Sequence, residues 1–317
     1  MLQQLPQMLI LDALVREQGF SAAARRLGVS KSYISKQLAQ LEANLGAQLV
    51  QRTTRRFALT ELGEAYARYC RDLTALAQEA DAMVAERQGR VSGVLHLGVG
   101  QSFGHLHVVP RLQESQRRYP EIELEISLFD HSSNLVDEGL DLWITTVEEK
   151  PEGLVGQRLA DIGFVLAASP DYLLQHGAPQ TPQELHQHNC ITYQSRERRY
   201  DQWHFRHGRE RQTVQVSGNY RVDLAEAVRD AALAGLGIAY IADYLLDDEL
   251  RQGRLIPLLP EWTPSQKMAV HAVYARREHL APKIRHFIDF LKVEFGHPPY
   301  WALRQSPWLN RLSASAE

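Results

Sequence analysis

Within six residues the chain places Lys31, Ser32, Tyr33, Ser35 and Lys36. Lysine and serine side chains donate to phosphate oxygens and base edges, and a tyrosine ring packs on a thymine methyl or along the sugar–phosphate edge. A second polar group follows inside LVQRTTRRFALT at 49–60, where Arg52, Thr53, Arg55 and Arg56 suit phosphates or a narrow minor groove. Both sets are polyanion chemistry. Catalytic alternatives lack parts. The pairs His105/His107 and His186/His188 are two apart, so on a helix they face different ways and predict no metal site. GVGQSFG at 98–104 lacks the Lys-Ser/Thr of a phosphate loop. AGLGIAYIA at 234–242 reads as a helix stop followed by a strand, the reverse of a dinucleotide-binding turn. No Ser, His and Asp stand as a triad. The expectation is a protein without catalytic residues, metal or cofactor, and not an enzyme.

Charge is unevenly spread. Residues 1–59 carry eight basic and three acidic side chains, a net +5, while the whole chain is −3. A basic head on an acidic body fits a partner that is a polyanion, and the alternative is a solvated face with a chance excess. No window approaches the ~18 uninterrupted apolar residues of a membrane span, and the N-terminal stretch lacks the features of a signal peptide. Cys70 and Cys190, far apart, fit a reducing cytoplasm better than a disulfide framework, with Cys70 read as a buried, inert thiol.

The elements that must hold these residues can be read next. Leu5, Met8, Leu9, Leu11, Ala13 and Leu14 predict a helix over 5–17. Ser21 predicts the cap of a second helix ending at Leu27, with Gly28 in the left-handed turn. Ser30 caps a third, over about 31–43. Ile34, Leu38 and Leu41 form its buried stripe, and Ala24 is small where two helices cross. Two short helices about a Gly turn make a helix-turn-helix, which turns Lys31, Ser32, Tyr33, Ser35 and Lys36 outward toward a major groove. Residues 49–60 read as two short strands around a basic tip, a wing. Over 60–88, Leu62, Tyr66, Tyr69, Leu73, Leu76, Ala80 and Met83 alternate 4 and 3 apart, a seam that asks for a partner helix and predicts a homodimer on a two-fold-related operator. A helix packed on its own domain is the alternative.

FSAAARRLGVSKSYISKQLAQLEANLGAQLVQRTTRRFALTELG at 20–63 resembles the LysR-type transcriptional regulators. The likeness continues through VLHLGVGQS at 94, GLDLWIT at 139, VLAASPDYL at 165, AALAGLGIAYIADYLL at 231 and HFIDFLKVEFG at 286. From residue 90 onward, apolar strands alternate with helices, as in parallel α/β structure. The resemblance implies an α/β fold with an N-terminal all-α winged helix-turn-helix and a C-terminal two-lobed, periplasmic-binding-protein-like α/β domain. The expected divisions are a head at 1–59, a dimerisation helix at 60–89, a regulatory domain at 90–296 and a tail at 297–317. Lobe I takes about 90–162 and 267–296, and lobe II about 163–266. Residues expected at an effector between the lobes are Gln101, Ser102, Asp130, Ser132, Asn134, Thr145, Thr146, Gln194, Ser195, Val222 and Asp223. Several, Ser132 and Asp223 among them, are equally good helix caps. Many relatives read Asp-Leu-Ala-Ile-Arg where this chain has Asp141-Leu142-Trp143-Ile144-Thr145, so anionic-effector recognition does not carry over simply. The resemblance further implies double-stranded DNA, a small organic metabolite, a homotetramer and RNA polymerase as partners, no membrane, and a cytoplasmic location.

Overall fold

Ser30 caps the third helix as its sequence predicts: its hydroxyl accepts the Tyr33 backbone N–H at 3.1 Å. The computed structural model describes residues 4–51, 57–87, 90–129, 135–146, 153–195, 199–246, 248–266, 268–275 and 280–303. They fall into two bodies. One comprises residues up to Gly93 with Ala281–Lys283, and the other Val94–Leu280 and the residues from Ile284.

In the first body, α1 (Leu5–Arg16), α2 (Phe20–Arg26) and α3 (Lys31–Leu45) enclose a core of Leu11, Leu14, Ala23, Ile34, Leu38 and Leu41. Gly28 sits at φ +66°, the left-handed turn the motif needs. Two boundaries differ from the sequence reading. α2 starts at Phe20 behind an extended Gly19, so Ser21 lies inside the helix and caps nothing; Phe20 anchors that start edge-on against Phe57. α3 runs on to Leu45 because its left-handed stop is Gly46. Of the two wing strands, the described residues keep one bridge, Val50 with Leu59. The Glu42 carboxylate accepts the Leu49 and Val50 N–H groups at 2.8 and 3.1 Å and pins the base of that loop. The long α4 (Glu61–Arg87) follows, about 40 Å at ~1.5 Å per residue. No helix among the described residues is long and apolar enough to cross a membrane.

The second body begins with β1 (Gly93–Val99) and α5 (Gln101–Phe103). The helix so begun starts directly behind β1. It passes through a π turn at Gly104–Val108 and a 3₁₀ turn at Val109–Arg111 before α6 (Leu112–Arg118). Pro110 has no N–H to donate, and the slipped ladder precedes it. Then come β2 (Ile122–Leu128), α7 (Leu135–Glu138), β3 (Leu142–Thr145), β4 (Leu154–Ile162), β5 (Phe164–Ala168) and α8 (Pro170–His176). β6 (Cys190–Gln194), β7 (Arg199–Tyr200), β8 (Gln202–His207), β9 (Glu210–Gln215) and β10 (Arg221–Val222) continue the chain. It ends with α9 (Ala225–Leu233), β11 (Ile238–Ala242), β12 (Ile256–Pro257), β13 (Thr263–Pro264), β14 (Met268–Ala275) and α10 (Pro282–Phe295).

One sheet has the order β2-β1-β3-β14-β4, with β1 and β3 parallel and β14 returning antiparallel between β3 and β4. The other runs β10-β6-β11-β5-β12, with β7 on β6, and a three-stranded sheet β13-β8-β9 stands beside it. Parallel and antiparallel pairs mix in each main sheet because β5 and β14 come back against their neighbours. Gly237 is demanded by close approach: a Cβ there would stand 2.2 Å from the Asn189 carbonyl oxygen. The tail's Trp301 is buried and donates its indole N–H to the Asp161 carbonyl.

Candidate functional sites

On α3, Ile34, Leu38 and Leu41 face the core, while Lys31, Ser32, Tyr33, Ser35 and Lys36 are all exposed. The Ser32 hydroxyl shares a 2.9 Å hydrogen bond with Ser30 at the helix start. Not every cation of the head is available. Arg16 pairs with Asp12 and Arg26 with Glu17. Arg25, Lys31 and Lys36 carry no ion pair among the described residues. Arg52, Thr53, Arg55 and Arg56 lie outside the described residues.

α4 has two faces. Gly63, Ala67 and Cys70 are buried, and Cys70 belongs to the head's core. Burial pushes its thiol up to about 12, with the neighbouring Asp12 charge adding to the shift. Leu62, Tyr69, Leu76 and Met83, each seven residues from the next, form an exposed stripe in the single chain. Tyr66 and Leu73 are half-buried.

Within the second body a cleft, partly open to solvent, lies between its two main sheets. Ser102, Thr145 and Thr146 line it. Gln101, Gln194, Ser195, Val222 and Asp223 are not among the lining residues, and Asp130, Ser132 and Asn134 lie outside the described residues. Ser102, buried at the start of α5, donates its hydroxyl to the Glu226 carboxylate in the first turn of α9, so the pair joins elements 124 residues apart.

The walls are aromatic. Tyr240 is sandwiched between Phe164 and Trp203, with ring centres at 5.0 and 5.5 Å. Its hydroxyl donates to the His204 carbonyl at 2.8 Å, and burial raises its pKa. Tyr193 meets Tyr200 edge-on. Phe129 stacks on Trp143 at 6.2 Å, in space kept open by Gly98, whose absent Cβ would fall 2.9 Å from the Phe129 ring. Trp143 is 3% exposed, and its enclosed indole N–H has no hydrogen-bond partner among the described residues. No Lys, Arg, His, Asp or Glu is among the described residues that line the cleft.

Sequence reasoning noted Trp143 where many relatives have Ala but missed its aromatic company. Phe129 lies just past the end of β2, and Phe164, Trp203 and Tyr240 sit on three other strands, so no local spacing links them. Behind the cleft, Phe103 stacks on His107, whose ring bonds the Tyr300 hydroxyl and the Tyr244 carbonyl. Burial lowers the His107 pKa to about 4. Among the described residues no group of three His, Cys, Asp or Glu could hold a metal.

The chain is similar to known proteins along most of its length. Residues 5–64 match the bacterial regulatory helix-turn-helix protein, lysR family, and residues 88–296 match the LysR substrate binding domain. The chain is 31% identical to the probable HTH-type transcriptional regulator LtrA of Klebsiella pneumoniae, over 92% of this chain and 94% of that one. It is 31% identical to the HTH-type transcriptional activator TtdR of Escherichia coli, over 89% and 90%. The structure of CrgA, a LysR-type transcriptional regulator from Neisseria meningitidis, superposes with a TM-score of 0.59 at 29% identity, covering 92% of this chain and 98% of that one.

Proposed function

The chain belongs to the LysR family of transcriptional regulators, and on that premise we propose how its own residues carry the work. Members of the family are regulators rather than enzymes; they bind DNA through the helix-turn-helix, take a small effector in the substrate-binding domain and form oligomers. In our reading the head is 1–59, the linker helix 60–89, and the regulatory domain 90–296. α3 enters the major groove with Lys31, Ser32, Tyr33, Ser35 and Lys36 toward the bases and phosphates, while Arg52, Thr53, Arg55 and Arg56 of the wing contact the backbone.

The exposed α3 face, opposite its buried Ile34, Leu38 and Leu41 stripe, is the observation that carries this reading. The Leu62, Tyr69, Leu76 and Met83 stripe pairs with the same stripe of a second copy, so two heads address an operator of rough two-fold symmetry. The protein acts in the cytoplasm, where its DNA is, and its assembly extends to a tetramer that can meet RNA polymerase.

The aromatic cleft is the effector site in this reading, with Ser102, Thr145 and Thr146 at its polar positions. An effector shifts the balance only by binding one arrangement of the lobes better than another, and that change re-spaces the paired heads. The test is a footprint of the full-length chain at low salt on the DNA fragment upstream of its own gene, with and without a metabolite that stabilises the protein. Protection that shifts or shortens supports the mechanism, and identical footprints remove it. Absence of any binding to the fragment removes the α3 assignment.

A further inference from the structure

We propose that Ser102 and Glu226 form an internal latch that holds the two sheet-bearing halves of the second body together across the cleft, and so sets the resting state against which an effector acts. The proposal rests on the reading of this cleft as the effector site and adds how that site is regulated from within.

The contact joins elements that belong to different sheets. Ser102 lies in α5, directly behind β1 of the first main sheet, and Glu226 lies in the first turn of α9, which leads into β11 of the second. The chain passes from the first sheet to the second through Gly163, between β4 and β5, and crosses back ahead of β14. Short element-terminal crossings of this kind are where hinges turn, so a bond tying α5 to α9 restrains such a turn. The Ser102 hydroxyl donates to a carboxylate, and charge-assisted hydrogen bonds are roughly twice as strong as neutral ones. The bond is also reversible. Glu226 sits where the positive end of α9 favours a negative charge, so its carboxylate keeps a favourable place when Ser102 lets go. It is half-buried, so water reaches it as the halves part. The segment after β1 touches the second half once more, where the His107 ring meets the Tyr244 carbonyl oxygen at 2.8 Å. That contact is packed behind the cleft against Phe103 and Trp301. Ser102 lines the cleft itself, so its bond to Glu226 is the one an arriving molecule meets.

The experiment is hydrogen exchange on the full-length chain without DNA or added ligand, following the amides of residues 100–104 and 224–228, with those of β14 as a control. Ser102→Ala should speed exchange about tenfold on both sides of the contact, the worth of one hydrogen bond to a charged group, and leave β14 at its parent rate. Glu226→Ala should do the same. Because Glu226 also favours the start of α9 by its charge, the response of α9 to Ser102→Ala is the diagnostic one: that variant touches nothing within α9, and a merely local role for Ser102 would leave α9 unmoved.

The double variant should exchange no faster at residues 100–104 than either single one, since a shared bond can be lost only once. Glu226→Gln keeps an acceptor for Ser102 and removes the charge, so its rates should fall between those of the parent and Glu226→Ala. The proposal is overturned if Ser102→Ala leaves the α9 amides at the parent rate, if the two single effects multiply in the double variant, or if β14 loosens along with the contact. The functional reading fails separately. Ser102→Ala should alter the operator footprint with no metabolite present. An unchanged footprint, with the exchange result in place, would keep the latch and sink the link from cleft to DNA.

Discussion

Replacing Gly63 by Ala sets two effects of opposite sign against each other. Gly63 lies in the first turn of α4. In an exposed helix, Gly→Ala is stabilising by about 1 kcal/mol, through the lower conformational freedom of alanine. Here a Cβ would stand 1.9 Å from the Leu49 carbonyl oxygen, 2.8 Å from its carbon and 3.1 Å from its Cα. These are backbone atoms and cannot rotate away. That carbonyl also accepts the Thr60 N–H at 2.9 Å and the Thr60 hydroxyl at 3.3 Å, and the same hydroxyl accepts the Gly63 N–H. Clearing the clash moves the base of the wing by more than 1 Å. Overpacking of this kind costs about 1–3 kcal/mol, and each hydrogen bond stretched or lost adds about 1 kcal/mol. Against the helix gain, the net loss is about 1–4 kcal/mol, and each kcal/mol lowers the melting temperature of a body this size by about 4–8 °C.

Two optical probes separate the bodies. All five tryptophans, Trp143, Trp203, Trp262, Trp301 and Trp308, follow residue 93, so tryptophan fluorescence reports only the second. Far-UV circular dichroism also reports the helical head. Gly63→Ala should lower the melting of the head seen by dichroism, leave the fluorescence midpoint in place and weaken DNA binding with it. A variant that melts at or above the parent by dichroism would show that the approach of α4 to Leu49 is not as close as described.

Other expectations can be checked alongside. Lys36→Ala should weaken operator binding and reduce the slope of log K against log salt by about one, with dimerisation intact; an unchanged slope takes Lys36 off the phosphates. Leu76, 63% exposed in the single chain, should tolerate Asp with little loss of monomer stability, while sedimentation shows the oligomer falling apart. The His107 pKa is depressed from 6.5 to about 4, chiefly by burial, so the unfolded chain binds a proton at higher pH than the folded one. Stability of the second body is full above about pH 6.5 and falls toward pH 4, by about 2–3 kcal/mol at pH 4.5. Urea midpoints of His107→Gln should lack that component, and equal pH slopes in the two proteins would refute it. Cys70 and Cys190 are fully buried, and burial pushes both thiols up to about 12. Neither should react with a disulfide reagent at pH 8 until denaturant is added.

Local chemistry was legible in the residue order. The Ser30 cap, the left-handed Gly28 and the Ile34, Leu38 and Leu41 stripe all follow from groups within a few positions of one another. Capping bonds and helical periodicity act over that range. The outward face of α3 came with them, because fixing which side is buried fixes the other.

The cleft did not. Its facing rings come from positions between Phe129 and Tyr240, carried by strands whose neighbours are set by pairing across the sheet. Ser102 meets Glu226 across 124 residues, and Gly63 answers to a carbonyl fourteen positions earlier. Sequence placed Ser102 among the residues expected at an effector. Tertiary structure put a carboxylate of the same chain against it, and the electrostatics of the site follow from that contact rather than from any residue alone.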